Sequence, residues 1–428
     1  MKSLNLSADQ LLQCFEFDSN SDVLQIGCCN AELTRFLGEY FQSVVCLEQD
    51  TTLEKLFDII FCIGSIEHFC DNAGKDEDSL RKAFMKASEL LKQDGVCVFA
   101  LNVNPLGHKR IKEILEQQFR EVRYYYPFPD YRMPARILSE KLLGRAGLEE
   151  LVSGHLPGGN KSPEATSVMV ENGYDHDLSQ IAETMLVIAG KKSTQSVRAD
   201  WLGIMYANQR IQILQTVTKI YEDNKGLLRV KKEPRYGKGP VHMKKLTLHP
   251  LDSPWIDGIS LHQQMLVISS GQNLTLKDIF SPCQIWIDTI RDLCVKEGED
   301  LWIDGRYIDT IWKNCIIADS QCRFFDNEWE WYKKIPFKSF FIRALMYFLS
   351  DVKLLDVPAH SLSFKPIWLL CIDIADIFDI RLNIKDFIGF IRLEGELQKI
   401  VTDTPKIKTT ASLLNMLVSK IKTSSLPE

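Results

Sequence analysis

In the first hundred residues, short β-branched runs alternate with segments of helical period, and this alternation limits the possible folds more than any other feature of the chain. Asp22-Val-Leu-Gln-Ile-Gly27 is an apolar run that stops at a glycine, and a helix-like stretch from Ala31 to Tyr40 follows it. Val44 to Glu48 reads as a second strand and Phe57 to Gly64 as a third. Asp78 to Lys92 has helical period, and Asp94-Gly95 turns the chain into Val96–Leu101. Repeated strand–helix–strand units predict a parallel sheet covered by helices, because a parallel neighbour is reached only by a crossover. Leu156 to Glu164 is rich in turn formers and reads as a loop, and Met185–Ala189 reads as one more strand of the sheet. The polar run Lys191–Ser196 marks a boundary, giving a first domain over 1–192 and a second over 197–422.

At 428 residues, with 45% hydrophobic and 25% charged content, the chain is long enough for two or three globular domains. A net charge of −6 argues against a nucleic-acid surface. No run of about 18 apolar residues predicts a membrane span, and the N-terminus lacks the apolar core of a signal peptide. The 12 cysteines are scattered, several in apolar runs such as Val45-Cys46-Leu47 and Phe61-Cys62-Ile63, without a C-x-x-C pair. They read as buried free thiols in a reducing cytoplasm.

The chemistry concentrates in the second half. Asp309 is followed five residues later by Asn314, then by the strand-like Cys315-Ile-Ile-Ala, a turn at Asp319-Ser-Gln, and Cys322-Arg-Phe-Phe leading into Asp326. A two-stranded ribbon of this kind carries Asn314 and Asp326 to the same end. That is the arrangement phosphotransfer needs: Asp309 orients an acceptor hydroxyl, and Asn314 and Asp326 hold the Mg²⁺ that bridges the phosphates of ATP. The bland reading is two exposed turns capped by Asp. Upstream, Ile211 to Lys231 shows a strand, an Asp223-Asn-Lys-Gly226 turn and a strand, which is a hairpin signal. Lys232 shares a face with Val230 by the two-residue period, so it rather than Lys231 is the candidate phosphate-pairing lysine. Met265 to Leu276 resembles the linker between kinase lobes and the helix after it. No G-x-G-x-x-G loop precedes the hairpin, no helix glutamate can be assigned to Lys232, and Glu233 points to the opposite face. Glu328 stands where a glycine normally follows the metal aspartate, and Arg343 on the next helix is its expected partner.

In the first half, a strand running into Gly27 and the acid Glu48 at the end of the next strand suggest a nucleotide site, with the cofactor over Gly27 and Glu48 on ribose hydroxyls. Asp22–Thr34, Phe57–His68 and Leu90–Ala100 resemble class I S-adenosylmethionine methyltransferases. Gln25 replaces the family's acid, and Cys29 and Ala31 replace two glycines. Only eight residues, Gln49 to Leu56, separate Glu48 from the next strand, too few for the family's further strand and helix. The domain is therefore expected to be reduced and degenerate. Tyr124-Tyr-Tyr-Pro-Phe-Pro-Asp-Tyr-Arg-Met-Pro134 is held extended by its prolines and is expected to pack against the sheet, with a sugar- or partner-stacking wall as the alternative.

The segment Tyr125–Pro134 resembles bacterial surface-polysaccharide proteins of O-antigen clusters, which fuse a methyltransferase-like domain to a kinase-like one. The resemblance implies an α/β and α+β chain: a reduced doubly wound, Rossmann-like domain followed by a protein-kinase-like domain. It implies transfer of phosphate from ATP to a glycan or glycolipid hydroxyl. Two alternatives stand beside it: a non-catalytic adaptor for glycosyltransferases, and an active S-adenosylmethionine-dependent methyltransferase.

Overall fold

The structure, a computed structural model, describes residues 8–27, 31–47, 55–64, 66, 77–103, 107–143, 182–269, 271, 273–354, 362 and 365–421. Among them the dominant element is an eleven-stranded sheet. Its strands are β1 (Asp22–Ile26), β2 (Ser43–Leu47), β3 (Phe57–Ile63), β4 (Leu91–Asn102), β5 (Glu121–Phe128), β6 (Arg136–Ser139), β7 (Thr184–Gly190), β8 (Gly203–Tyr206), β9 (Thr216–Glu222), β10 (Leu228–Pro234) and β11 (Leu251–Pro254). The spatial order is β11-β10-β9-β8-β6-β5-β7-β4-β3-β1-β2. The four strands β2, β1, β3 and β4 are mutually parallel. β7 enters antiparallel between β4 and β5.

Helices α1 (Ala31–Tyr40), α2 (Glu77–Glu89) and α3 (His108–Gln118) cover this parallel part. Alternate residues of β3 serve opposite faces, as the two-residue period requires. Ile60 and Cys62 join Leu80, Phe84 and Ile114 of α2 and α3 in one core, while Ile59, Phe61 and Ile63 join Leu33 and Leu37 of α1 in the other. Burial on both faces explains why the strand is a continuous apolar run. The N-terminal half is thus doubly wound and Rossmann-like. β2 is the edge strand of the sheet, and the next described strand, β3, lies on the far side of β1. No further strand lies outside β2 among the described residues, and most of the Gln49–Leu56 connection falls outside them. The edge position also corrects one expectation: Cys46 on β2 is exposed, whereas Cys62 in the middle of the sheet is buried.

The tyrosine-rich segment forms β5 and the turn after it. Tyr124, Tyr125, Tyr126, Phe128 and Tyr131 are all buried, so these rings are core and not an open stacking wall. Tyr131 lies over Gly64 at the end of β3, where an added Cβ would meet the phenol ring, with Cζ at 2.9 Å.

The sheet does not stop at Lys191–Ser196. β8 pairs with β6 through Gly203↔Leu138, Ile204↔Ile137 and Met205↔Arg136, and with β9 on its other edge. β9 and β10 form the expected hairpin in full register from Thr216↔Pro234 to Glu222↔Leu228. Asp223 shapes its turn by accepting the N–H groups of Lys225 at 2.9 Å and Leu227 at 3.0 Å, and Gly226 takes the left-handed conformation.

Below this end of the sheet lies a mainly helical body: α4 (Leu261–Ser269), α5 (Cys283–Leu293), α6 (Phe337–Leu354), α7 (Ile367–Asp376), α8 (Ile384–Thr402) and α9 (Lys406–Val418). Its core is aromatic, with Trp286, Trp312, Phe340, Phe341 and Phe348 fully buried. The Met265–Leu276 reading is corrected here. Residues 261–269 are helix, begun by Ser260, whose hydroxyl accepts the Gln263 N–H at 3.1 Å. Leu261, Met265, Leu266 and Ser269 recur at helical spacing and are buried, so tertiary packing makes a core helix of a segment that reads as a connection. Among the described residues no helix is long and apolar enough to cross a membrane.

Candidate functional site

Asp309 lies between two 3₁₀ turns, Gly305–Tyr307 and Trp312–Asn314, and Asn314 ends the second. Gly305 brings this loop against the Trp329–Trp331 strand: a Cβ there would run into the main-chain oxygens of Trp331 and Lys333, the latter at 2.7 Å. After Asn314 come the two ribbon strands, Cys315–Ala318 and Gln321–Phe324, antiparallel with Cys315 opposite Phe324. Asp319 and Ser320 at the ribbon tip are both left-handed, the conformation of a two-residue hairpin turn. The Phe325 N–H donates to the Asn314 carbonyl at 3.0 Å and closes the open end of the ribbon. Asp326 follows at once, itself left-handed, a conformation Asp tolerates better than most residues.

Lys232 comes from β10 of the sheet, and it meets the ribbon here. Its Nζ pairs with Asp326 Oδ1 and lies 3.2 Å from Glu328 Oε1. Lys231 points away and pairs with Glu233 at 3.1 Å. Glu328 is fully buried and is also held by Arg210, whose guanidinium stacks on Trp329 at 4.6 Å from the ring centroid. A main-chain bond from His249 N–H to the Glu328 carbonyl at 2.7 Å fixes this turn. Glu328 is thus the buried acid that the sequence did not assign to Lys232, and it stands in the place of the absent glycine.

The expected Arg343–Glu328 pair does not form. Arg343 on α6 faces α8 instead: Nε lies 3.0 Å from Glu394, Nη1 donates to the Ile308 carbonyl at 2.6 Å, and Nη1 is 3.4 Å from Asp309 Oδ1. Asn314 Nδ2 donates to the Asp309 carbonyl at 2.9 Å and to its Oδ2 at 3.1 Å. Asp309 is therefore gripped from two sides, and Tyr347 donates to Glu394 at 3.1 Å behind Arg343.

Three carboxylates and three cations share this small volume, and burial sets their proton affinities. Burial, with Glu328 and Asp309 nearby, pushes the Asp326 carboxyl up to about 6 despite Lys232. Burial raises Asp309 as well, partly offset by Arg343. Burial would also raise Glu328, but Lys232 and Arg210 outweigh it and hold that carboxyl below the ordinary range. Lys232 keeps its proton because Asp326 and Glu328 outweigh its own burial.

Between these groups lies a cavity of about 230 Å³, lined among others by Arg210, Asp309, Lys313, Asn314, Asp326 and Arg343. This is below the roughly 300–1,000 Å³ of a typical ligand pocket. Four candidates named from the sequence, Asp309, Asn314, Asp326 and Lys232, thus meet at one place, three on the cavity wall and Lys232 bonded to Asp326. Arg210 belongs to the same cluster and carries no mark in the sequence; Glu328 belongs to it too, held by Arg210 and Lys232 in place of the expected Arg343. Among the described residues no three His, Cys, Asp or Glu side chains form a metal cage.

The N-terminal candidates lie elsewhere. Gly27 ends β1 with a left-handed backbone, its N–H bonded to the Leu47 carbonyl at 3.2 Å. Gln25 is buried and donates to the Gly27 carbonyl at 3.2 Å and to Thr34 at 2.9 Å, so it ties the strand end to α1. Glu48 and Cys29 lie outside the described residues.

No family model and no curated protein matches the chain. Similar solved structures include the N-methyltransferase NodS of Bradyrhizobium japonicum bound to S-adenosyl-L-homocysteine, at 17% identity over 26% of this chain and 71% of that one, TM-score 0.21. A TehB-like SAM-dependent methyltransferase of Corynebacterium glutamicum is 14% identical over 41% of this chain and 82% of its own, TM-score 0.21. The cyclopropane synthase MmaA2 of Mycobacterium tuberculosis is 16% identical over 42% and 81%, TM-score 0.22. Likenesses this slight do not by themselves assign an activity to the chain.

Proposed function

We propose that the cleft between β10 and the 315–328 ribbon is a phosphotransfer site, which moves the γ-phosphoryl of ATP to a hydroxyl of a glycan or glycolipid. The observation that carries this reading is the ion pair of Lys232 with Asp326, on the rim of a cavity that Asp309 and Asn314 also line. Asp309 accepts the proton of the attacking hydroxyl. Arg343 and Asn314 hold its carboxylate in one orientation, so little reorganisation is needed at the moment of reaction. The hydroxyl oxygen forms the new P–O bond, the bond from the γ-phosphorus to the bridging oxygen breaks, and ADP departs. Lys232 neutralises phosphate charge.

Asn314 and Asp326 suit a hard cation. The Asn314 amide nitrogen is turned to Asp309, which leaves an amide oxygen, and Asp326 offers a carboxylate on the cavity wall, the hard oxygen donor such a cation takes. Mg²⁺ held there would screen the phosphates. The glycan class of acceptor rests on the sequence resemblance alone.

A thermal shift with Mg²⁺ and ATP tests the reading. Ligand at one hundred times its dissociation constant adds about 2.7 kcal/mol of stability, which is readily seen. The shift is expected to vanish in Asp326→Ala. No shift in the unaltered chain rejects the proposal.

A second reading, methyl transfer by the N-terminal half, is favoured by the parallel order of β2, β1, β3 and β4 with Gly27 at a strand end. S-adenosylmethionine would lie over Gly27 with Glu48 on its ribose. A shift with that ligand instead of ATP selects this reading, and silence with both selects a non-catalytic adaptor for glycosyltransferases.

A further inference from the structure

A phosphotransfer cleft without a glycine-rich loop lacks the row of backbone N–H groups that cradles nucleotide phosphates in kinases. Residues 207–215, which connect β8 to β9, carry an arginine, Arg210, that lines the cavity. Arg210 is set there by several bonds. Its own N–H meets the Ala207 carbonyl at 3.4 Å, its carbonyl accepts from Gln215 Nε2 at 3.2 Å, and the neighbouring Ile211 N–H donates to Val401 of α8 at 2.8 Å. The last bond crosses the cleft, from the sheet to the helical body.

The guanidinium is equally fixed. Glu328 holds Nη2, the Thr216 hydroxyl accepts from Nη1 at 3.3 Å, and Trp329 supports the flat face at 4.6 Å. A guanidinium has five N–H donors in a rigid fork, so these bonds orient it without using it up, and it forms part of the cavity wall. The other cations on that wall are engaged differently. Arg343 is enclosed by Glu394, Ile308 and Asp309, and Lys313 is tied to Asp351 at 2.7 Å. Glu328 is fully buried, and its second oxygen has no partner among the described residues. It holds Arg210 and Lys232 together on a single carboxylate.

We propose that Arg210 is the polyphosphate-binding group of this cleft, taking the place of the missing glycine loop, with Glu328 as the residue that positions it. The ligand class is a nucleoside polyphosphate, and the inference rests on the phosphotransfer reading. A planar fork reads two phosphate oxygens at once, which a lysine does not. Glu328 holds Arg210 beside Lys232, the group that the phosphotransfer reading sets on the transferred end of the nucleotide, so Arg210 serves the β- and γ-phosphates that AMP lacks.

Calorimetric titration of the full chain with Mg·ATP and with AMP, for the unaltered protein, Arg210→Ala and Arg210→Lys, tests this. The expected result is a Mg·ATP affinity lower by roughly 10- to 100-fold in Arg210→Ala, the loss of a charge-assisted bond, with AMP affinity unchanged and Arg210→Lys in between. Equal Mg·ATP affinity in Arg210→Ala and the unaltered protein overturns the inference and leaves the phosphotransfer reading standing. Equal losses for Mg·ATP and AMP overturn it as well, since they mark a purely structural role. If the unaltered protein binds neither, both readings fall together. Should Arg210→Ala not fold, Arg210→Lys decides: a selective loss for Mg·ATP supports the role, and unchanged affinity refutes it.

Discussion

Glu328→Gln is the most informative single change, because it removes one charge and almost no volume from the centre of the cluster. Glu328 is fully buried and is shared by Lys232 at 3.2 Å and by Arg210. Stripping the acid from a buried pair costs about 3–5 kcal/mol, because the partner charge stays behind unpaired. Two features pull the cost to the lower end. Lys232 keeps Asp326, and the Arg210 side chain retains 18% of its exposure and so some contact with water. A loss of about 3 kcal/mol corresponds to a melting temperature lower by about 6–12 °C, at roughly 2–4 °C per kcal/mol for a domain of 150–250 residues. Thermal denaturation followed by circular dichroism at neutral pH measures it. Glu330→Gln is the matched control, since Glu330 is exposed and pairs with His249 at the surface, at 2.7 Å. Its effect should lie within about 0.5 kcal/mol. If Glu328→Gln melts within about 1 °C of the control, the buried charge network is not what holds Lys232 and Arg210, and the reasoning fails.

The other expectations concern the same cleft and the joint between the two halves. Asp326, raised to about 6, binds a proton that competes with a cation, so stabilisation by Mg·ATP should weaken as pH falls through about 6; a stabilisation independent of pH from 5 to 8 would contradict this. Without ligand the sign reverses: the folded state holds that proton more tightly than the unfolded chain, so the Asp326 contribution to stability declines as pH rises from about 4 to about 6. Asp309→Asn should lower phosphotransfer by roughly 10²–10⁴-fold while Mg·ATP binding measured by calorimetry stays within a factor of about two. Gly305→Ala should destabilise by about 1–3 kcal/mol in urea titration, because its methyl group meets the Trp331 and Lys333 carbonyls. Expression of residues 197–428 alone should yield aggregated protein in size-exclusion chromatography, since β8 would lose β6 and present a bare edge.

What the sequence disclosed depended on whether the signal was local. The β1–α1 unit, the β9–β10 hairpin and the 315–324 ribbon each announce themselves within about a dozen residues, by period and turn chemistry. Lys232 could be chosen over Lys231 because alternate residues of a strand face opposite ways. The pairing of β6 with β8 joins residues more than sixty positions apart, and no local pattern announces it. The pairing of Glu328 with Arg210 is hidden for the same reason: 118 positions separate them. The one available hint was Glu328 beside Trp329 and Trp331, an acid next to aromatic residues that alternate into a core. The helix at 261–269 begins four residues ahead of the Met265–Leu276 segment that resembles an interlobe linker, and its burial comes from tertiary packing that no local pattern announces.

Two features missing from the sequence pattern, the helix glutamate and the glycine after the metal aspartate, turn out to be linked. In protein kinases the lysine partner rides on a helix, and moving that helix switches the site. Here the acid that holds Lys232 sits two residues beyond Asp326, in a turn closed by the Glu328 N–H to Asp326 carbonyl bond at 2.9 Å. The lysine and the aspartate are therefore aligned by one short stretch of backbone. His249 pins that stretch from outside, and Gly305 packs tightly against the strand that follows. Lys232 in turn belongs to a sheet that runs without a break back to β1. The lysine and the aspartate are thus held from opposite sides, one by a strand paired on both edges and the other by a hydrogen-bonded turn. Among the described residues one backbone bond, from Ile211 N–H to the Val401 carbonyl at 2.8 Å, ties α8 to the 207–215 loop beside them.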